Sequence, residues 1–212
     1  MDKQYAIFDM DGTLVDSMSY WRNLAKEYLN LKGIMYIPDS ILEKIKPMTM
    51  MESAEIFIEE FKLEGTPESI ANEMNELMNR HYRKDIPLKR GVKSYLNRLH
   101  HSGVKMCVAS AAEETLVEVC LQRLGIIKYF SFLLSCETLG ISKSKPNIYY
   151  EAARRLGAEP QNVAVYEDAL YAAETAKKAG FYVIGVFDES GEKNFDILKE
   201  TSDEIIKDWQ YL

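Results

Sequence analysis

The sequence predicts an α/β fold: a doubly wound, mostly parallel sheet with an all-helical unit inserted after its first strand. Three observations predict it. Short apolar runs of strand length occur at 5–8, 104–109, 132–134, 163–166, 182–186 and, more faintly, 204–206. Amphipathic helical patterns alternate with these runs, as the crossovers of a parallel sheet require. The stretch from about Asp16 to Pro87 breaks the alternation, with several helical patterns and no strand pattern.

The first strand, Tyr5-Ala6-Ile7-Phe8, runs directly into Asp9-Met10-Asp11-Gly12-Thr13-Leu14. Gly12 ends the strand and permits a tight turn. Asp9 and Asp11 therefore stand at the C-terminal end of a strand, where open α/β sheets place their ligands. Residues two apart in an extended chain share a side, so both carboxylates can face one substrate. Two neighbouring negative charges repel unless a cation or a shared proton relieves them, which points to metal or acid/base chemistry. An Asp-Gly turn with solvated acids is the simpler alternative for this segment taken alone.

In the helical block, Ala54, Phe57, Ile58 and Phe61 form one apolar face, and Ile70, Met74, Leu77 and Met78 form another. Pro38, Pro47, Pro67 and Pro87 punctuate it. Residues 16–87 are expected to form a small cap at the C-terminal edge of a core built from 1–15 and 88–212. Beyond the block, Val92, Tyr95, Leu96 and Leu99 mark one crossover helix, and Leu116, Val119, Cys120 and Leu124 another.

Three later strand ends carry polar residues. Ser110 follows the 104–109 run and precedes the helix that begins near Glu113-Glu114-Thr115; its hydroxyl can cap that helix or bond a phosphate oxygen. Ser142-Lys143-Ser144-Lys145-Pro146-Asn147 leads into a helix with Tyr149, Ala152, Ala153 and Leu156 on its apolar face. A lysine there can hold a phosphate as a point charge and offset nearby carboxylates. Val163-Ala164-Val165-Tyr166 ends in Glu167-Asp168, two acids that are costly at a buried strand end unless solvated or bound to a cation.

Taken in order, these segments resemble the four motifs of the haloacid dehalogenase-like superfamily, and the resemblance covers essentially the whole chain. Asp9-Met10-Asp11-Gly12-Thr13 is similar to its first motif, Ser110 to its second, Lys145 ahead of Pro146 to its third, with Lys143 as competitor, and Glu167-Asp168 followed by small residues and Ala179-Gly180 to its fourth. The resemblance implies a Rossmann-like core with a helical cap, in the group containing β-phosphoglucomutase and phosphoglycolate phosphatase. It implies Asp9 as nucleophile and Asp11 as general acid/base, Ser110 and Lys145 on the phosphate, and Mg2+ held by Asp9, Asp11, Glu167 and Asp168, with Asp11 contributing its backbone carbonyl. Thr13 and Asp16 are given no direct chemical role.

The chain departs from the family pattern at several positions. The segment after Lys145-Pro146 is shortened to Asn147-Ile148-Tyr149. Ala169 and Ala172 stand where Ser and Gly are usual. Ala112 and Glu113 replace the mutase's Ser and Lys, and Trp21 replaces the mutase's cap histidine.

The expected function is therefore a Mg2+-dependent phosphatase of a small phosphorylated metabolite, such as a sugar phosphate, working through an aspartyl-phosphate. A β-phosphoglucomutase-like isomerase is the alternative, and a non-catalytic phosphometabolite-binding protein a third reading. Asp11 disfavours a dehalogenase. Arg22, Lys44 and Lys46 are cap candidates for recognising substrate polar atoms.

Bulk properties narrow the class further. A net charge of −7 over 212 residues argues against nucleic acid as a partner. No apolar run reaches the ~18–20 residues of a membrane span, and the N-terminus lacks a signal-peptide pattern. Cys107, Cys120 and Cys136 lie singly in apolar surroundings, which favours reduced core thiols and a cytoplasmic setting. A monomer or weak dimer is expected. His81 and His100-His101 have no metal-ligand spacing, Met48, Met50 and Met51 fit packing, and Trp209 and Tyr211 fit a docked tail.

Overall fold

The computed structural model describes residues 3–45 and 48–212, so Lys46 and Pro47 lie outside the described residues. The chain forms two compact units, one of residues up to Met18 with Ile86–Leu212, the other of Ser19–Asp85. In chain order the elements are β1 (Tyr5–Phe8), α1 (Met18–Leu31), α2 (Asp39–Ile45), α3 (Met50–Phe61), α4 (Pro67–Lys84), α5 (Val92–His101) and β2 (Lys105–Ser110). There follow α6 (Glu114–Arg123), β3 (Phe130–Ser135), α7 (Cys136–Leu139), α8 (Asn147–Leu156), β4 (Val163–Glu167), α9 (Leu170–Lys178), β5 (Tyr182–Val186), α10 (Phe195–Thr201) and β6 (Glu204–Ile206).

The larger unit is an α/β domain around a six-stranded, all-parallel sheet of order β3-β2-β1-β4-β5-β6. The chain builds outward from β1 to β3, then returns to β1's other side for β4. That reversal makes the C-terminal ends of β1 and β4 a switch point, the place where such sheets open a binding crevice. Register aligns these ends: Phe8 lies opposite Val108 of β2 and Tyr166 of β4. β2 and β4 extend through Ser110 and Glu167, one residue beyond their apolar runs, so both polar residues belong to the strands themselves.

One sheet face packs on α8 and α9, where Ile7, Cys107, Val163 and Val165 meet Ile148, Tyr149, Ala152, Ala153, Ala173 and Ala176. The alanines let these helices approach the strands closely. On β1 and β4, Phe8 and Tyr166 are stacked with ring centroids 4.1 Å apart, and Tyr166 stacks in turn on Trp209 near the C-terminus. The three cysteines are buried and free.

The smaller unit is helical. Its α3 and α4 each begin with a capping box, Thr49 with Glu52 and Thr66 with Ser69, and Pro67 opens α4 where its missing N–H costs nothing. Ala54, Ile56 and Phe57 of α3 and Ile70, Met74, Leu77 and Met78 of α4 are buried, while Ile58 and Phe61 are half-buried. Tyr28 Oη donates to Glu73 Oε2 at 2.8 Å, and Trp21 Nε1 donates to Tyr82 Oη at 3.2 Å, tying α1 to α4. Among the described residues, no helix is long and apolar enough to cross a membrane.

Candidate active site

Asp9 leaves the end of β1 with its backbone N–H donating to Tyr166 O at 3.0 Å, which keeps it level with the end of β4. The next residues close a tight loop. Leu14 and Val15 both donate to Met10 O, and Gly12 donates to Val15 O. Gly12 takes φ +80°, a conformation that favours glycine, inside this loop.

The carboxylates of Asp9, Glu167 and Asp168 form the one acidic group among the described residues with metal-binding proximity, each offering an oxygen within 4.8 Å of the others. Asp9 and Glu167 are buried. Lys143 Nζ lies between them, donating to Asp9 Oδ1 and, at 2.7 Å, to Glu167 Oε1. Tyr149 Oη, from α8, donates to the same Glu167 oxygen at 2.8 Å. Thr13 Oγ1 donates to Asp168 Oδ1 at 3.0 Å.

The charge balance of this group is uneven: of its three carboxylates, Asp9 and Glu167 share the Lys143 ammonium, and Asp168 is held by the Thr13 hydroxyl instead. Burial pushes the Glu167 carboxyl up, and the Asp9 charge adds to this against the opposing pull of Lys143. Burial also drives the Asp168 carboxyl well above its ordinary range, reinforced by Asp9 and Glu167. Burial alone would lower the Lys143 pKa, but the Asp9 and Glu167 charges outweigh it and hold the ammonium firmly protonated. Burial and the adjacent Glu167 likewise keep the Tyr149 phenol protonated, so it remains a donor.

Two features fit a divalent cation here. Asp9 Oδ2 is buried without a hydrogen-bond partner, although Oδ1 is well satisfied. An acceptor in that condition is costly unless something outside the chain meets it. The donor set itself, carboxylate oxygens drawn together at a strand end, is the kind a hard cation takes.

Ser110 is fully buried at the end of β2, and its Oγ accepts the N–H of Ala112 at 3.1 Å. It does not cap α6, whose first turn is preceded by Glu113 with no side-chain cap. Ser135, paired with Ser110 across the sheet, donates to Ala112 O at 2.8 Å and so fixes the same loop. The Ser110 hydroxyl proton is left to donate elsewhere.

The lysine that the fold delivers to the acids is Lys143, not Lys145. Lys145 is exposed, within a turn closed by its own N–H to Ser142 O at 3.1 Å. Pro146, which the lysine-before-proline pattern relies on, immediately precedes α8 and belongs to the helix entry. Lys143, two residues earlier, is buried and reaches Asp9 and Glu167. The Asp11 side chain is half-buried and is not part of the three-acid group. Tyr149 was legible only as part of an apolar helix face.

A cleft of about 420 Å3 adjoins Asp168, lined by Met18, Tyr171, Glu174, Ser190 and Asn194 among others. A neighbouring pair, Lys89 Nζ to Asp188 Oδ2 at 2.8 Å, anchors the loop after β5.

The site is thus a strand-end aspartate held by a lysine beside two further acids, and comparison with known proteins gives the chain that carries it a family. Residues 6–186 match the family model described as haloacid dehalogenase-like hydrolase. The fructose-1-phosphate phosphatase YqaB of Escherichia coli (strain K12) is 27% identical over 191 residues, covering 88% of this chain and 98% of that protein. The β-phosphoglucomutase of Bacillus subtilis (strain 168) is 29% identical over 212 residues, covering 93% of this chain and 89% of that protein. A crystal structure of β-phosphoglucomutase from Clostridium difficile shares the fold with a TM-score of 0.69 at 23% identity, covering 99% of this chain and 93% of that one. The chain belongs to the haloacid dehalogenase-like hydrolase family.

Proposed function

We propose that the protein is a Mg2+-dependent phosphatase of a small sugar phosphate, working through an aspartyl-phosphate on Asp9. The observation that carries this reading is the state of the Asp9 carboxylate: one oxygen is held by Lys143, and the other is buried without a partner. A nucleophile needs an oxygen the protein does not itself occupy.

The side chains of Asp9, Glu167 and Asp168, with the Asp11 carbonyl, would hold Mg2+, which supplies positive charge against the oxygens of the transferred group. An Asp9 oxygen attacks phosphorus, forming a new O–P bond as the ester P–O bond breaks. Asp11 gives its proton to the departing sugar oxygen. Water then attacks phosphorus and loses a proton to Asp11. The Asp9–phosphorus bond breaks, and inorganic phosphate leaves. Ser110 and Lys143 grip the phosphoryl oxygens throughout, and the fixed 110–112 loop keeps the serine in place.

Support for a carbohydrate substrate comes from relatives that are named for sugar phosphates. The β-phosphoglucomutase relative favours a second reading, return of the phosphoryl group to the same sugar. Against it, Trp21 replaces the cap histidine and is bonded to Tyr82. A panel of sugar monophosphates with Mg2+, assayed together for released phosphate and isomerised sugar, separates the two. Steady phosphate release that vanishes in Asp9→Asn is the expected result. Isomer without free phosphate, or hydrolysis unchanged in Asp9→Asn, would overturn the phosphatase reading.

A further inference from the structure

We infer that Tyr149 is a positioning residue for the cation site, fixing through its hydroxyl which oxygen of Glu167 is presented to the metal. The inference rests on the proposed reading only in requiring a divalent cation; it does not require hydrolysis.

Glu167 Oε1 receives two donors, Lys143 Nζ at 2.7 Å and Tyr149 Oη at 2.8 Å. With both donors on one oxygen, the carboxylate plane is set, and Oε2 becomes the oxygen with lone pairs to give. The two donors differ in how firmly they are mounted. Lys143 reaches in on a long side chain from the segment between α7 and α8, and it also serves Asp9. Tyr149 stands on α8 itself, fully buried in the main core, with its ring packed 6.0 Å from that of Phe181.

The tyrosine's packing does not need its oxygen, because a phenylalanine ring would fill the same space. Among the described residues its hydroxyl has one hydrogen-bond partner, Glu167. A buried hydroxyl aimed at a ligating carboxylate is the arrangement by which outer groups orient metal ligands, and its loss commonly costs about 10–100-fold in affinity. Lys143 divides its donors between Glu167 and Asp9, whereas the Tyr149 hydroxyl serves Glu167 alone.

The test is calorimetric titration of the metal-free full chain with Mg2+, without substrate, for wild type, Tyr149→Phe and the exposed neighbour Tyr150→Phe. Tyr149→Phe should raise the Mg2+ Kd by about tenfold or more, while Tyr150→Phe matches wild type. In a Glu167→Gln background, Tyr149→Phe should add no further loss, because the hydroxyl acts through that carboxylate. Wild-type affinity in Tyr149→Phe, independent losses in the double variant, or a wild type that binds no Mg2+ would each overturn the inference. A protein that binds Mg2+ in the expected pattern yet releases no phosphate would leave the inference standing and remove the phosphatase reading instead.

Discussion

Asp168 occupies the space that any side chain on Gly12 would need. A Cβ on Gly12 would fall 2.3 Å from Asp168 Oδ2 and 2.7 Å from its Cγ, closer than nonbonded atoms approach. The glycine therefore serves two ends at once. It turns the loop after β1 at φ +80°, and it lets a carboxylate from beyond β4 lie against the backbone of that loop. Thr13, the next residue, then holds the other Asp168 oxygen at 3.0 Å.

Gly12→Ala should accordingly damage both stability and metal binding. A left-handed conformation imposed on a residue with a Cβ costs about 1–3 kcal/mol, before any displacement of Asp168. In a chain of this size, melting should fall by roughly 2–4 °C for each kcal/mol. Thermal unfolding in chelator reads the first effect, and Mg2+ titration reads the second. A variant with wild-type melting and wild-type metal affinity would show that the loop relaxes without moving Asp168.

The two lysines of the 142–147 segment should behave differently. Lys143→Met leaves Asp9 and Glu167 facing each other without their shared ammonium. Removing one partner of a buried pair costs about 3–5 kcal/mol. Loss of a donor to the transferring group should also lower kcat by about 10²–10³-fold. Lys145→Met removes an exposed charge and should leave melting and kcat close to wild type. Steady-state kinetics and denaturant unfolding of the pair decide the matter. Equal losses in both variants would contradict the assignment of Lys143.

The contrast between these lysines marks where the sequence stops being readable. Asp9, Ser110, Glu167 and Asp168 could be placed because each follows an apolar run. Parallel pairing then brings neighbouring strand ends together whatever the loops do. Local pattern is enough for that. The lysine depends instead on how the chain travels from α7 to α8, through Gly140 at φ 64° and a serine turn, and no periodicity describes such a path. Tyr149 was hidden for another reason. Amphipathic spacing identifies which side of a helix is buried but not which polar tip on that side finds a partner. Lys89 and Asp188 lie far apart in the chain, and nothing local announces their pairing.

That pairing gives a pH dependence. Asp188 is largely buried, which alone would raise its carboxyl, but the Lys89 and Ser190 hydrogen bonds outweigh burial and hold it below its ordinary value of 3.8. A carboxyl depressed by folding contributes stability that is whole above the unfolded value and is lost as pH falls through the folded one. The wild type should therefore lose this contribution below about pH 4. Asp188→Asn should be less stable at neutral pH and show a shallower decline on the acid side. Denaturant unfolding of both proteins between pH 7 and pH 3 measures the difference. Parallel stability curves would exclude a role for this pair.

Trp209 offers a test of the C-terminal tail. Its ring stacks on Tyr166 with centroids 5.9 Å apart and meets Tyr95 edge-on at 5.0 Å, while Tyr95 and Tyr166 share a hydrogen bond of 2.8 Å. Tyr166 in turn stacks on Phe8, the residue before Asp9. Trp209 Nε1, however, is buried without a hydrogen-bond partner, so the indole contributes area and shape and no polar contact. Trp209→Ala should then cost about 3–5 kcal/mol, the usual range for emptying a buried Trp site. Trp209→Phe keeps an aromatic face and removes the unpaired N–H, so its cost should stay under about 1.5 kcal/mol. Equilibrium unfolding in urea distinguishes the two. A phenylalanine variant as unstable as the alanine one would mean that the indole nitrogen has a partner in solution, such as an ordered water.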